Sequence, residues 1–248
     1  MPNKLKIAIF TESRNLSKQV LKKILILKKK VKIILIVSNV EFKKELKKNK
    51  IKNFEWVKNI KNNNSKIIKI LKKYDSENIY AFSLQHKWRI EKRVIYNFKF
   101  FFNFHYGDIP KYRGHNPVIH AILNKEKYIY GTIHVIDKHL DKGLIVHKVK
   151  VKNNNISSKD IEDKITELFS DYFQTLALRL INKQKISLKK IKNKGKFYSY
   201  KDIQKLKEVK NIKEIMSKAC AFDYPPHEPA YIKINKKKIY LKINLNSI

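Results

Sequence analysis

The sequence is poor in cysteine, and it lacks a long uninterrupted apolar run. Its one cysteine, Cys220, excludes a disulfide framework and a cysteine-based metal cluster within the chain. With so little cysteine, we expect a cytoplasmic protein. The run ILILKKKVKIILIV is interrupted by lysines, and the start MPNKLKIAIF predicts a strand instead of a signal sequence. We therefore expect neither export nor membrane insertion.

Acidic residues are also scarce, at 21 against 57 basic ones, which gives a formal net charge of +36. Such a charge is typical of nucleic-acid binding, because cations release counterions from the phosphate backbone. Arginine, the better bidentate phosphate ligand, contributes few of these cations. The lysines spread over the whole chain beside abundant isoleucine and asparagine, as in a composition that drifts with an AT-rich genome. We therefore do not expect nucleic acid as the partner; a selected polyanion surface or a small phosphorylated substrate is the alternative.

Apolar periodicity predicts strands that alternate with helices. KLKIAIF and VKIILIV are typical of buried strands, and the segment between them carries a helical apolar stripe. The pattern recurs in SKIIKILKKY, NIYAFSLQ, KRVIYNF and KFFFNFH. This alternation favours an α/β fold with a Rossmann-like, mostly parallel sheet flanked by helices. Ligands of such sheets bind beyond the carboxyl ends of the strands.

The rest of the chain predicts two strands that meet at a turn near residues 138–143, then a long helix capped by Ser158. The predicted apolar stripe of this helix is Ile161, Ile165, Leu168, Tyr172 and Leu176. Residues 183–196 are rich in lysine and weakly patterned, so we predict a linker between a main domain over 1–182 and a small C-terminal subdomain over 197–248. This subdomain is predicted to contain a helix and a β-hairpin that turns near 235–237.

Rare residues concentrate between 103 and 147, where four of the five glycines and six of the eight histidines lie. Asn103 and His105 are two apart at the end of a predicted strand, so their side chains face the same side. An amide donor and an imidazole that converge can stabilise an oxyanion and move a proton, as acyl transfer requires. A carboxylate that orients the imidazole is the missing member. The candidates are Asp141, which we prefer, and Asp108 and Asp137.

These residues resemble the site of the folate-dependent formyltransferases, whose pattern is Asn-x-His, a Pro-x-Tyr-x-Gly-like loop and Asp-x-Gly. Here the elements are NFHYGDIPKYRG and LDKGLI. The resemblance covers residues 75–180 well and the N-terminal segment loosely. It implies that Asn103, His105 and Asp141 form the catalytic triad of a catalytic domain over residues 1–182. It also implies 10-formyltetrahydrofolate as the formyl donor, with no metal.

The resemblance further implies that two loops, near residues 82–88 and 135–141, hold the pterin largely through backbone atoms. The residues assigned to the cofactor are Phe82, Gln85, His86, Trp88, Val135, Ile136 and Asp137. The residues assigned to the acceptor are Tyr106, Arg113, Tyr224 and Tyr231; a tyrosine could stack on a base and the arginine could bind a phosphate. The other histidines of the segment are expected to be structural or surface residues: His115, His120, His134, His139 and His147.

The acceptor is inferred from two further resemblances. Methionyl-tRNA formyltransferases usually carry Ser-Leu-Leu-Pro where this sequence has YGDIP, and a C-terminal β-barrel that this chain is expected to be too short to supply. FSLQHKWRI and AFDYPPHEPAYIKINKKKIYL are instead similar to segments of the sugar N-formyltransferases. The implied acceptor is a nucleotide-linked amino deoxysugar of surface polysaccharide (O-antigen) synthesis.

Three alternatives stay open: formylation of methionyl-tRNA, hydrolysis of formyltetrahydrofolate, and, in another class, a catalytically silent RNA-binding Rossmann domain. The exposed edge of the predicted hairpin also favours a homodimer.

Overall fold

A computed structural model describes residues 4–12, 14–58, 63–75, 78–86, 88–137, 141–191 and 195–243. The strands are β1 (Leu5–Thr11), β2 (Val31–Ser38), β3 (Glu55–Lys58), β4 (Ile79–Leu84), β5 (Phe100–His105), β6 (Tyr112–Gly114), β7 (Tyr128–Val135), β8 (Ile145–Lys152), β9 (Lys196–Tyr198), β10 (Tyr231–Ile234) and β11 (Lys237–Tyr240). The α-helices are α1 (Asn15–Ile26), α2 (Val40–Lys48), α3 (Asn64–Leu71), α4 (Lys92–Ile95), α5 (Pro117–Leu123), α6 (Ser158–Ile181), α7 (Tyr200–Leu206) and α8 (Ile215–Phe222).

Seven of these strands form one sheet in the order β3-β2-β1-β4-β5-β7-β8. The pairs from β3 to β5 are parallel, so the carboxyl ends of these strands lie along one edge. The order reverses direction between β1 and β4, which is the switch point where doubly wound sheets open a ligand crevice. The predicted α/β fold is confirmed.

Aromatic and branched side chains fill both sides of the central strands. Phe10 and Phe101 pack at 4.8 Å between ring centroids, within a cluster that also holds helix residues of α3 and α4. Phe82 packs against Phe102 and against Phe173 of α6. Each fully buried side chain of this size stabilises the fold by roughly 1.5–3 kcal/mol, so the strand ends that carry the site are firmly held.

Helix α6 is present as predicted, but its predicted cap and one part of its predicted apolar stripe are wrong. The helix already begins at Ser158, and Ser157 caps it by accepting from the N–H of Asp160 at 3.0 Å. Leu168 is 40% exposed, whereas Phe169 and Phe173 are buried. The stripe shifts by one position because these two rings fill the space beside Phe82 and Phe104, which the larger aromatic side chains fit better.

The chain forms two compact units. The first comprises Met1–His105, Ile133–Val146 and Glu167–Lys190, and the second comprises Tyr106–Thr132, His147–Thr166 and Ile191–Ile248.

The predicted hairpin is confirmed as the antiparallel pair β10-β11, with Asn235 and Lys236 at positive φ in its turn. Helix α7 is also confirmed, whereas α8 and the β6-β9 pair are additions that the pattern did not indicate. The predicted domain boundary stays a prediction. No described helix is long and apolar enough to cross a membrane.

Candidate active site

The end of β5 and the turn after β7 bring the three predicted catalytic residues together. His105 and Asp141 are 8% and 6% exposed, and His105 Nδ1 lies 3.9 Å from Asp141 Oδ2. That distance is too long for a hydrogen bond but short enough for a strong charge interaction. Asp108, one rival for the carboxylate, instead pairs with Lys148, and Asp137 is exposed. The carboxylate beside His105 is therefore Asp141.

A fourth residue, His134 of β7, completes this group. It is 2% exposed, and its Nε2 lies 3.1 Å from Asn103 Nδ2 and 3.5 Å from Asp141 Oδ1. Its Nδ1 lies 3.1 Å from the carbonyl oxygen of Val135, which can only accept, so Nδ1 carries a hydrogen. His134 then accepts at Nε2 from the amide of Asn103. This contact fixes the amide of Asn103 and leaves its second hydrogen without a partner among the described residues.

The backbone after β7 brings Asp141 close to His134. Asp141 adopts a positive φ of 50°, and the N–H of Val135 donates to the carbonyl of Leu144 at 2.8 Å. A Cβ on Gly143 would lie 1.6 Å from the carbonyl oxygen of Val135. Only glycine fits there, which gives the Asp-x-Gly motif its physical reason. The turn residues 138–140, with His139, lie outside the described residues.

A cavity of about 600 Å³ opens beside these residues within the first unit. Its lining residues come from the carboxyl ends of three strands and from the segment that leads into α4: Ser83, His86, Trp88, Arg89, Ile90, Glu91, Lys92, Arg93, Ile95, Asn103, His134, Ile136, Asp137 and Asp141. Its position at the carboxyl edge of the sheet is the one that a parallel sheet predicts. Three members of the catalytic group, Asn103, His134 and Asp141, line it directly.

The far wall of the cavity is anchored in the core and is charged at its exposed side. Val94 is fully buried, and Ile90 and Ile95 pack against the same core cluster. Arg93 pairs with Glu91 at 2.6 Å, whereas Arg89 and Lys92 are exposed and form no ion pair with a described residue. Two cations on a firmly held wall suit a ligand that carries carboxylates or phosphates at one end.

His86 is a neutral imidazole in the cavity wall. Burial lowers its pKa from 6.5 to about 4, and its ring packs edge-on against Phe10 at 5.6 Å between centroids. Its Nδ1 is buried and has no hydrogen-bond partner among the described residues. Because this nitrogen has almost no exposed surface, His86 borders the cavity through other atoms of the residue.

Acid should destabilise the fold through His86. Because its pKa is lower in the folded state than in the unfolded chain, the unfolded chain binds more protons between pH 6.5 and 4. The free energy of unfolding should therefore fall as the pH drops through this window, by about 1–2 kcal/mol from pH 7 to 5 after allowance for partial solvent access. Urea unfolding of the His86→Gln variant should show a shallower pH dependence than the parent protein. The exposed His115→Gln is the control, and equal slopes for the parent protein and His86→Gln would contradict the assignment.

The predicted cofactor residues divide into two groups. His86, Trp88, Ile136 and Asp137 line the cavity. The other three do not: Phe82 is buried in the core, Gln85 forms the turn after β4 at a φ of 56°, and Val135 ends β7. Phe82 is 0% exposed as a whole residue, so neither its ring nor its backbone is open to the cavity. A role in cofactor binding stays a prediction for all seven.

The predicted acceptor residues lie in the second unit, where most are packed. Tyr106, Arg113 and Tyr231 are buried; Tyr106 exchanges a 2.7 Å hydrogen bond with Thr166, and burial raises its pKa. Arg113 donates to the carbonyl of Gly195 at 3.3 Å, and Lys238 Nζ lies 4.2 Å from the ring centroid of Tyr231. Tyr224 is half-buried and donates to Glu162 at 3.1 Å. These contacts occupy the polar ends of Tyr106 and Tyr224, and acceptor binding by the four residues stays a prediction.

The structure adds residues that the sequence did not single out. Periodicity placed His134 on a strand, but nothing in it showed that β7 lies next to β5 and faces Asn103. The cations of the wall, Arg89 and Lys92, were equally hidden among many other basic residues. Among the described residues no group of three or more histidine, cysteine or acidic side chains is placed to hold a metal ion.

The fold of this chain is similar to the folds of known proteins. The structure is similar to a 4-N formyltransferase from Francisella tularensis, at a TM-score of 0.79 and 22% identity over 98% of each chain. It is also similar to WlaRD, a sugar 3N-formyl transferase solved in the presence of dTDP and 5-N-formyl-THF, at a TM-score of 0.73 and 25% identity over 96% of this chain and 85% of that one.

A curated relative, the methionyl-tRNA formyltransferase of Wolbachia pipientis subsp. Culex pipiens, is 31% identical over 146 residues, which are 55% of this chain and 44% of the relative. The match thus spans less than half the length of that relative. The family model described as formyl transferase matches residues 4–176. This range includes the carboxyl ends of β5 and β7 and all three residues of the predicted triad. The chain therefore belongs to the formyl transferase family.

Proposed function

We propose that the protein transfers a formyl group from 10-formyltetrahydrofolate to the amine of a nucleotide-linked amino deoxysugar. The observation that carries the proposal is that Asn103 and Asp141 line a cavity on the carboxyl edge of the sheet, with His105 buried 3.9 Å from the Asp141 carboxylate. The two similar structures are described as a 4-N formyltransferase and a sugar 3N-formyl transferase, which supports an amino sugar as the acceptor.

A reduced folate is the ligand that we propose for the cavity. Trp88 and Ile136 offer apolar surface to a flat ring, and the neutral imidazole of His86 adds to the same wall. Arg89 and Lys92 are placed to hold the carboxylates of the glutamate end. A cavity of about 600 Å³ lies within the usual range of small-molecule sites, about 300–1,000 Å³.

The bound cofactor would supply an activated formyl carbon. Asn103 would donate its second amide hydrogen to the formyl oxygen, while His134 holds the amide in place. His105 would stabilise the negative charge on the same oxygen as an imidazolium, which a carboxylate 3.9 Å away favours. The acceptor nitrogen must lose one proton and the departing nitrogen must gain one. Asp141 and Nε2 of His105 are the groups that would move this proton.

The test is an assay with 10-formyltetrahydrofolate and a panel of dTDP-linked 3-amino and 4-amino deoxysugars, followed by mass spectrometry. We expect a formamide from at least one member of the panel, and an Asp141→Asn variant should form it at least 100-fold more slowly. The matched control is Asp171→Asn, since Asp171 is exposed and, among the residues that the structure describes, forms an ion pair with Lys23 alone. A protein that transfers no formyl group to any amino sugar would contradict the proposal.

A tRNA acceptor is the second candidate, because the curated relatives are methionyl-tRNA formyltransferases. Methionyl initiator tRNA belongs in the same assay as a separate arm. Formylmethionyl-tRNA without any formyl sugar would establish this candidate instead. Release of formate with no amine acceptor present would point to hydrolysis of the donor.

A further inference from the structure

A second cavity of the first unit lies at the opposite edge of the sheet. It has a volume of about 590 Å³ and is lined by residues at the start of β1, β4 and β5 and at the end of α6. We call it the basal cavity. Because β1, β4 and β5 are parallel, their amino ends lie one strand length away from the ends that carry Asn103 and His105. The basal cavity is therefore separate from the candidate active site.

Five lysines and no acidic side chain line the basal cavity. The lysines are Lys4, Lys6, Lys99, Lys183 and Lys185. In the described part of the chain none of them forms an ion pair, although nine other lysines do. Like charges around one concavity repel each other, and an anion that enters it relieves this repulsion. The basal cavity thus has the electrostatics of a site for a polyanion.

The end of α6, which carries the negative pole of the helix, also borders the basal cavity. The N–H of Lys183 donates to the carbonyl of Leu180 at 3.2 Å, and the N–H of Gln184 donates to that of Arg179 at 2.9 Å. This is the Schellman pattern, in which the last carbonyls of a helix are satisfied. Lys183 has a φ of 54°, in a position where glycine is the usual residue. Lys50 after α2 and Lys125 after α5 end their helices in the same way, so the strained lysine is a general feature of this chain. At the basal cavity it adds a positive charge beside the negative pole of α6.

Two aromatic rings give the basal cavity a surface for a base. Tyr80 and Phe100 are register partners on β4 and β5, with centroids 6.4 Å apart and planes at 22°. Both are half-buried and line the cavity, so part of each ring is open to a ligand. Stacking on such rings binds any nucleobase, and Gln184 adds an amide that can donate to or accept from the edge of the base.

We propose that the basal cavity binds a nucleoside di- or triphosphate, with the base against Tyr80 and Phe100 and the phosphates among the lysines. A pocket of this volume encloses a small ligand, whereas a nucleic acid strand needs an extended groove. The proposal does not depend on the reaction at the other edge of the sheet.

The first test measures ADP binding by isothermal titration calorimetry. The variant Lys99→Glu/Lys185→Glu reverses two exposed charges of the cavity and should bind ADP at least tenfold more weakly than the parent protein. The matched control, Lys44→Glu/Lys69→Glu, makes the same change in net charge on exposed positions of α2 and α3 and should bind ADP like the parent. Equal weakening in both variants would show a diffuse charge effect and overturn the proposal, as would a parent protein that does not bind ADP.

The second test separates the base from the phosphates. Tyr80→Leu should weaken ADP binding about tenfold and leave the binding of inorganic tripolyphosphate unchanged, because only the nucleotide has a base to stack. Equal losses for both ligands would overturn the aromatic part of the site. A single-stranded oligonucleotide that binds far more tightly than ADP, and loses affinity in both lysine variants, would overturn the proposal in favour of a nucleic-acid surface. The lysine variants alone decide the outcome if Tyr80→Leu does not fold.

Discussion

The His105→Gln variant is expected to transfer formyl groups about 1,000-fold more slowly than the parent protein while it keeps the same fold. His105 ends β5 with its side chain 8% exposed and its Nδ1 3.9 Å from a buried carboxylate oxygen of Asp141. Glutamine keeps most of the volume and a polar group for Asp141, but it cannot carry the positive charge or exchange a proton. Removal of one oxyanion donor costs about 10²–10³ in rate, and loss of acid-base catalysis costs about 10²–10⁴, so the combined loss should be large.

Single-turnover formylation is the appropriate measurement, because it reports the chemical step and not product release. The control is the same substitution at an exposed histidine, His115→Gln, which should retain the rate of the parent. Circular dichroism and urea unfolding would verify that both variants are folded. If folded His105→Gln transfers formyl groups within tenfold of the parent rate, His105 is not the group that stabilises the charge.

Sequence patterns predicted the fold because its signals are local. The buried strands β1 and β2 carry runs of branched residues, and α1 between them carries a stripe whose members Leu16, Val20 and Ile24 are all buried. These signals require only the neighbours along the chain. The stripe of α6 failed at Leu168 because tertiary packing decides between adjacent apolar positions, and there the space beside Phe82 is filled by Phe173.

The candidate site was predictable only where its residues follow a pattern along the chain. Asn103 and His105 stand two apart on one strand. Asp141 stands two residues before Gly143, which the close approach to the backbone of Val135 requires. His134 has no such signal, since its contact with Asn103 depends on the order of the strands in the sheet. The cations of the far wall also depend on how α4 is anchored, which is set by the burial of Val94.

Gly143→Ala is the second substitution with a large expected effect, and it acts on the backbone. A methyl group at this position would lie 1.6 Å from the carbonyl oxygen of Val135 and 2.7 Å from its carbonyl carbon. Because these are backbone atoms, no side-chain rotation can relieve the overlap. Residues 141–144 would have to move away from β7 by more than 1 Å, and the 2.8 Å hydrogen bond from Val135 to Leu144 would break or lengthen.

We expect two measurable consequences of this movement. The free energy of unfolding should fall by about 1–3 kcal/mol, from the overlap and the lost hydrogen bond, as urea unfolding would show. Formyl transfer should slow by about 100-fold, because a displacement of about 1 Å in a catalytic group has this effect on rate. The rate falls because Asp141, two residues away at a φ of 50°, no longer lies beside His105 and His134.

Lys142→Ala provides the matched control, since it places the same residue at the next position of the turn, where the side chain is exposed. This variant should keep both the stability and the rate of the parent protein, which separates the backbone overlap at Gly143 from a general effect of alanine in the turn. If Gly143→Ala lowers the stability but not the rate, Asp141 does not depend on the turn for its position. If it lowers neither, the close approach of Gly143 to Val135 does not hold the turn.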